Sequence, residues 1–204
     1  MGLGSSIVSI TRYKVQGHLK EPVLDTIANG LKDNAASEID NAALDKSIGW
    51  TSFETPFSPG FEGSSHLFGT HLVFSLRIDK KNIPPKIVKK HYTIEIDKRL
   101  AKSGRNFISS SEKKMIKEQV LHSLYLRIPA TPNIYDLIWN YEEGKLWFFT
   151  NLKAANEELE GLFSQSFNLS LIRMFPYTSA EFIADLSDSE RDVLNRLSPT
   201  EYRT

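Results

Sequence analysis

From Ser6 to Val15 (SIVSITRYKV) apolar and polar side chains alternate, with β-branched residues among them. That is the period of two of a half-buried strand, with Val8, Ile10 and Tyr13 facing inward. After Glu21-Pro22 the period lengthens: Val23, Leu24, Ile27, Ala28 and Leu31 recur at steps of three and four, predicting an amphipathic helix to about Lys32. Residues 51–69 carry two Pro and three Gly among several Ser, too much punctuation for a regular element. They read as a long loop that packs down through Phe53, Phe57, Phe61 and Phe68. His71 to Arg77 (HLVFSLR) is continuously apolar in its middle, as in a central strand.

Pro84-Pro85 opens a helix whose Val88, Tyr92, Ile96 and Leu100 lie four apart, and Ser103-Gly104 is a plausible stop. Ser109 to Glu112 (SSSE) matches a capping box, and Ile116, Val120, Leu124 and Ile128 form a second seam. The two helices predict a hairpin closed by Pro129 and Pro132. Aromatic-rich runs at Asn133–Tyr141 and Lys145–Thr150 flank Glu142-Glu143-Gly144, which reads as a β-hairpin. A short helix capped by Asn151 runs to about Phe163, Asn168 to Phe175 is another strand, and Ser187 to Glu190 (SDSE) caps a terminal helix.

The order β-α-loop-β-α-α-β-β-α-β-α, with clustered strands interrupted by a helical pair, predicts an α+β fold. An antiparallel or mixed sheet packs with helices, and a basic helical hairpin protrudes from it. Residues 1–78 and 133–204 are expected to form the core domain and 79–132 the hairpin subdomain.

The 204 residues, 40% apolar, suffice for one compact domain. Cysteine is absent, which excludes a disulfide framework, thiol catalysis and Cys-ligated metal. Apolar runs are far shorter than the ~20 residues that cross a bilayer. The amino terminus has neither a basic n-region nor a long apolar stretch, so a cytoplasmic protein is expected. Met1-Gly2 with Ser6 matches an acylation pattern too short to separate from chance.

Lysine plus arginine number 25 and aspartate plus glutamate 25, but the zero is a cancellation. Residues 77–127 hold fourteen cations and five acids, a net of +9, and the remainder is −9. Cations repeated on a helical pair can track a phosphate backbone and release its counterions, without reading bases. A Lys-rich helix face is also ordinary solvated surface, and charge alone does not separate the two.

Motifs for other chemistry are missing. His18, His66, His71, His91 and His122 form no H-E-x-x-H, and no phosphate-cradling glycine loop or G-x-S-x-G elbow occurs. Asp136, Glu142 and Glu143 are the nearest carboxylates for a two-metal nuclease, although Glu142-Glu143-Gly144 is also what a hairpin turn wants. Tyr125, Tyr135, Trp139 and Trp147 are candidates to stack on bases, or else cross-strand and core aromatics.

Gly49-Trp50, Leu76-Arg77, Lys81-Asn82-Ile83-Pro84, and Glu118-Gln119-Val120-Leu121-His122-Ser123-Leu124 followed by Arg127 resemble the recombination-associated RdgC family. The likeness continues through Trp139, Trp147 and the helix from Asn151, over about residues 6–178. It implies a DNA-binding protein without catalytic activity or cofactor, although older names call the family exonucleases. It also implies a nucleoid-associated, ring-shaped homodimer that encircles duplex DNA and limits the access of RecA. On this chain the implied phosphate contacts are Arg77, Lys81, Lys89, Arg105, Lys113, Lys117 and Arg127. The position of the family's protruding tip Phe carries Pro129, so the dimer contact is expected at Tyr125, Ile128 and Pro129. Relatives continue well beyond the position of Thr204, which implies a short form. The alternatives are a metal-dependent exonuclease using Asp136 and Glu142, and a protein-interaction module presenting Tyr125 and Ile128.

Overall fold

The computed structural model describes residues 3, 7–58, 61, 67–183 and 186–198. His66 lies outside them.

The elements run β1 (Thr11–Gln16), α1 (Val23–Asp33), β2 (Lys46–Ser52), β3 (Leu67–Phe68), β4 (His71–Lys80), α2 (Pro85–Ser103) and α3 (Ser110–Tyr125), then β5 (Thr131–Asn140), β6 (Lys145–Phe148), α4 (Lys153–Phe167), β7 (Ser170–Arg173), α5 (Pro176–Ile183) and α6 (Asp188–Arg196). All strand pairings are antiparallel, in the order β2-β4-β5-β6-β1-β7, with β3 on β4. The class is α+β, and the strand at His71 is interior, paired with β2 and β3 on one side and β5 on the other, in keeping with its apolar run.

Alternation along the strands gives the sheet two unlike faces. One carries Tyr13, Trp50, Phe74, Leu76, Leu137, Trp139, Leu146 and Phe148, all buried. Against it pack Ile27 and Leu31 of α1 and Ala155, Leu159, Phe163 and Phe167 of α4. Its centre is aromatic, with Trp139 and Phe163 ring centroids 4.9 Å apart and Phe163 and Phe167 4.8 Å apart, both edge to face. The other face carries Arg12, Lys14, His71, Ser75, Arg77, Asp136, Asn140, Lys145 and Trp147, in register from strand to strand.

Two expectations about apolar residues change. The first strand begins at Thr11, so Val8 and Ile10 precede it and are exposed, and only Tyr13 of the expected set faces the core. After β2, Phe61 packs on the core, whereas Phe53 and Phe57 of the loop and Phe68 of β3 are exposed.

Strand β2 lies just before and within the start of the expected loop. Its middle residue, Gly49, explains the close packing there: a Cβ would stand 2.4 Å from the Ala36 nitrogen and 2.5 Å from its Cα. The chain leaving α1 runs against this strand, with Trp50 N donating to Asn34 O at 2.8 Å and Ala36 N to Trp50 O at 2.8 Å.

Helices α2 and α3 pack on each other through an apolar cluster separate from the sheet core. Ile116, Val120 and Leu124 are buried against Val88, Tyr92, Ile96, Ile83 and Ile108. The expected capping box is present: Ser109 Oγ accepts from Glu112 N, and Glu112 Oε2 accepts from Ser109 N at 3.0 Å. Gly104, in the left-handed region at φ 65°, ends α2.

A candidate nucleic-acid interface on the helical pair

Eleven cations and four acids lie between Pro85 and Arg127. Arg99 Nε stands 3.4 Å from Glu95 Oε1 and Arg105 Nη1 3.5 Å from Glu112 Oε1. Among the described residues, the other nine, Lys86, Lys89, Lys90, Lys98, Lys102, Lys113, Lys114, Lys117 and Arg127, are exposed with no carboxylate within 4.0 Å. Glu112 serves the cap, and the Ser109 amide and hydroxyl hold its carboxyl below the usual range, with smaller help from Arg105 and Arg99. The acids of the pair are thus partly spent within it, and a positive surface remains.

Helical spacing divides that surface. On α2 the inward line is Val88, Tyr92 and Ile96; His91, Lys98 and Lys102 fall to one side of it and Lys89 to the other. On α3 the inward line is Ile116, Val120 and Leu124, with Gln119 and Ser123 to one side and Lys117 to the other. A groove of about 320 Å³ along the first side is lined by His91, Glu95, Lys98, Gln119, Ser123 and Arg127. A second concavity nearer the connecting loop is bordered by Arg99, Lys102, Arg105 and Phe107. One flank therefore aligns Arg127, Lys98, Arg99, Lys102 and Arg105, and the opposite flank holds Lys89 and Lys117. Lys113 extends the inward line of α3 into its exposed first turn.

Arg77 and Lys81 are placed differently. Arg77 lies on β4 with its guanidinium in a two-point bond to Asp79, Nε to Oδ1 at 2.8 Å and Nη2 to Oδ2 at 2.7 Å, and both residues are buried. The Asp79 bond raises the arginine's proton affinity further. Lys81 is buried as well, its Nζ donating to the backbone oxygens of Asp40 (3.0 Å), Ala42 (2.9 Å) and Tyr125 (2.6 Å). Neither cation faces solvent. Arg77 is held within its own strand by Asp79, and Lys81 ties the end of α3 to the segment before β2, so as placed neither cation is turned toward a phosphate backbone as expected of both.

The expected dimer residues are also displaced from the tip. Because α2 and α3 are antiparallel, the end of α3 returns to the sheet, so Tyr125, Ile128 and Pro129 lie beside Lys81 and β5. The tip is the loop Gly104–Ser109, where Phe107 is 75% exposed. Its signal in the sequence is a large aromatic in the short polar stretch between two helices. Nothing in the spacing of Lys98 and Lys102 along the sequence favours one flank over the other.

The carboxylates considered for metal chemistry do not converge. Asp136 Oδ1 accepts from Ser75 Oγ and Oδ2 from the Leu3 amide, both at 2.8 Å. Glu142 lies beyond the end of β5, more than about 13 Å of strand away. Glu143 pairs with Lys145 at 2.6 Å. Among the described residues no group of three His, Asp or Glu side chains is placed to hold a metal ion. No described helix is long and apolar enough to cross a membrane.

Comparison with known proteins gives one family model, described as "Putative exonuclease, RdgC", which matches residues 9–180. No curated protein gives a match. The matched span takes in β1 through β7, including the helical pair and the strands that carry it, and the chain belongs to the RdgC family of recombination-associated proteins.

Proposed function

We propose that the protein binds duplex DNA through its phosphates, with little sequence preference, as a homodimer that encircles or clamps the duplex and modulates RecA-dependent recombination. The observation that carries this reading is the helical pair's nine exposed cations without carboxylate partners, against a remainder of the chain that is net acidic. The mechanism is occupancy: a collar of positive charge displaces counterions from the duplex and competes with RecA for the same track. No bond is made or broken. The phosphate contacts are drawn from Arg105 and Arg127, with Lys98 and Lys102, on one flank, or from Lys89 and Lys117 on the other with Lys113. Two copies meet through the loop tip, where Phe107 offers an apolar side chain to its counterpart.

A duplex titration across salt concentrations tests the binding. If about six phosphates are neutralised, log K falls against log salt with a slope near −5. Reversing Lys98, Lys102 and Arg127 weakens every duplex sequence alike, and comparison with reversal of Lys89, Lys113 and Lys117 shows which flank faces DNA. Unchanged affinity in both triple variants would overturn the assignment. With magnesium or manganese, labelled duplex is expected to stay intact; strand loss abolished by Asp136→Asn would establish the exonuclease instead.

A further inference from the structure

The sheet face turned away from the core carries a group of side chains that the helical pair does not use. Trp147 on β6 lies directly across from Arg12 on β1, and the next pair on the same face is Lys145 with Lys14. All four project from the same face, neighbours at about 5 Å between Cβ atoms. They line a groove of about 450 Å³ walled on its far side by Met174, Ser179 and Phe182, with Lys14 Nζ 4.4 Å from the centre of the Phe182 ring. The indole is half-buried and nearly parallel to the His71 ring, 9° between planes and 6.1 Å between centroids. Asn140 stands within hydrogen-bond distance of that imidazole, at 3.4 Å. Glu143 is the carboxylate of the groove, and it pairs with Lys145, so three cations stand against one acid.

We propose that this groove binds single-stranded DNA, an unpaired base lying on Trp147 while Arg12 and Lys14 take the flanking phosphates. An oriented indole between cations offers the two contacts a single strand needs, a flat apolar surface and positive charge at the backbone. A duplex keeps its base faces inside the stack and cannot use the indole. The site is separate from the helical pair, so it adds a single-strand contact to the proposed duplex grip.

Trp147 is also its own reporter, since Trp50 and Trp139 are each only 1% exposed. Titrating the full chain with an oligothymidylate should quench tryptophan fluorescence, and intact duplex at the same phosphate concentration should not. Trp147→Phe keeps binding, while Trp147→Leu weakens it about tenfold, within the range for one stacked base. In case Trp147→Leu fails to fold, Arg12→Ala with Lys14→Ala provides an independent arm. That pair should lower the magnitude of the salt slope by about 1.4, for two single-strand phosphates. Reversal of Lys98, Lys102 and Arg127 should leave the oligothymidylate quenching in place. Absent quenching, equal quenching by a polyglutamate peptide, or an unchanged salt slope in the Arg12/Lys14 variant would each overturn the proposal.

Discussion

Arg77 and Lys81 show how little a cation's position in sequence says about its task. A guanidinium buried beside Asp79 is stabilising only as a pair; deleting it strands a buried carboxylate. Arg77→Ala is therefore expected to cost about 3–5 kcal/mol in chemical denaturation, whereas Lys117→Ala, exposed and unpaired, stays within about 0.5 kcal/mol. Tyr13 offers a pH test. Its hydroxyl lies 2.6 Å from Asn156 Oδ1 and 2.9 Å from Glu160 Oε1, and burial, then the Glu160 hydrogen bond, raises its pKa beyond the usual tyrosine range. A raised folded value means the contribution is fully present below the unfolded pKa and is lost as pH climbs. Stability should fall above about pH 10, where the unfolded phenol begins to ionise. Tyr13→Phe should flatten that alkaline decline; an unchanged decline would count against the buried phenol as its source.

The helices α2 and α3 illustrate local instructions that survive into the fold. Ser109 and Glu112 close the capping box that their spacing announces, so Ser109→Ala should cost about 1 kcal/mol in thermal unfolding. Glu112 titrates below the usual range because it accepts from Ser109. A depressed folded pKa makes its contribution present at neutral pH and lost as pH falls through that value, so helicity here should decrease on acidification below about pH 4. Ser109→Ala should weaken that acid dependence, as followed by circular dichroism. Strand β2 is the opposite case. Lys46–Ser52 has a glycine at its centre and four polar residues among the rest, so its local pattern is poor. It is a strand because β4 supplies the ladder and Ala35–Ala36 pass so close that only glycine fits. Helix α5 follows directly on the run NLSLIRMF, with Pro176 as its first residue, and no element is expected there from the sequence.

Taken together, the chain combines one acidic and one basic part, and the geometry decides which basic residues reach solvent. The split of charge, the two helical seams, the central apolar strand, the β-hairpin around Glu142-Glu143-Gly144 and both capping boxes were legible in the residues, because each depends on neighbours three or four positions away or on simple alternation. The family resemblance was legible too, and the matching model covers residues 9–180. Strand order was not, nor was the register that puts Trp147 beside Arg12 while Trp139, eight residues earlier, is buried under Phe163. Where Tyr125, Ile128 and Pro129 lie relative to the loop between the helices depends on the direction in which α3 runs back. Local spacing is a property of the chain and determined the elements. Burial of Arg77 and Lys81, exposure of Phe107 and the division of lysines between two flanks are set by contacts between residues far apart in sequence, and only the tertiary structure decides those.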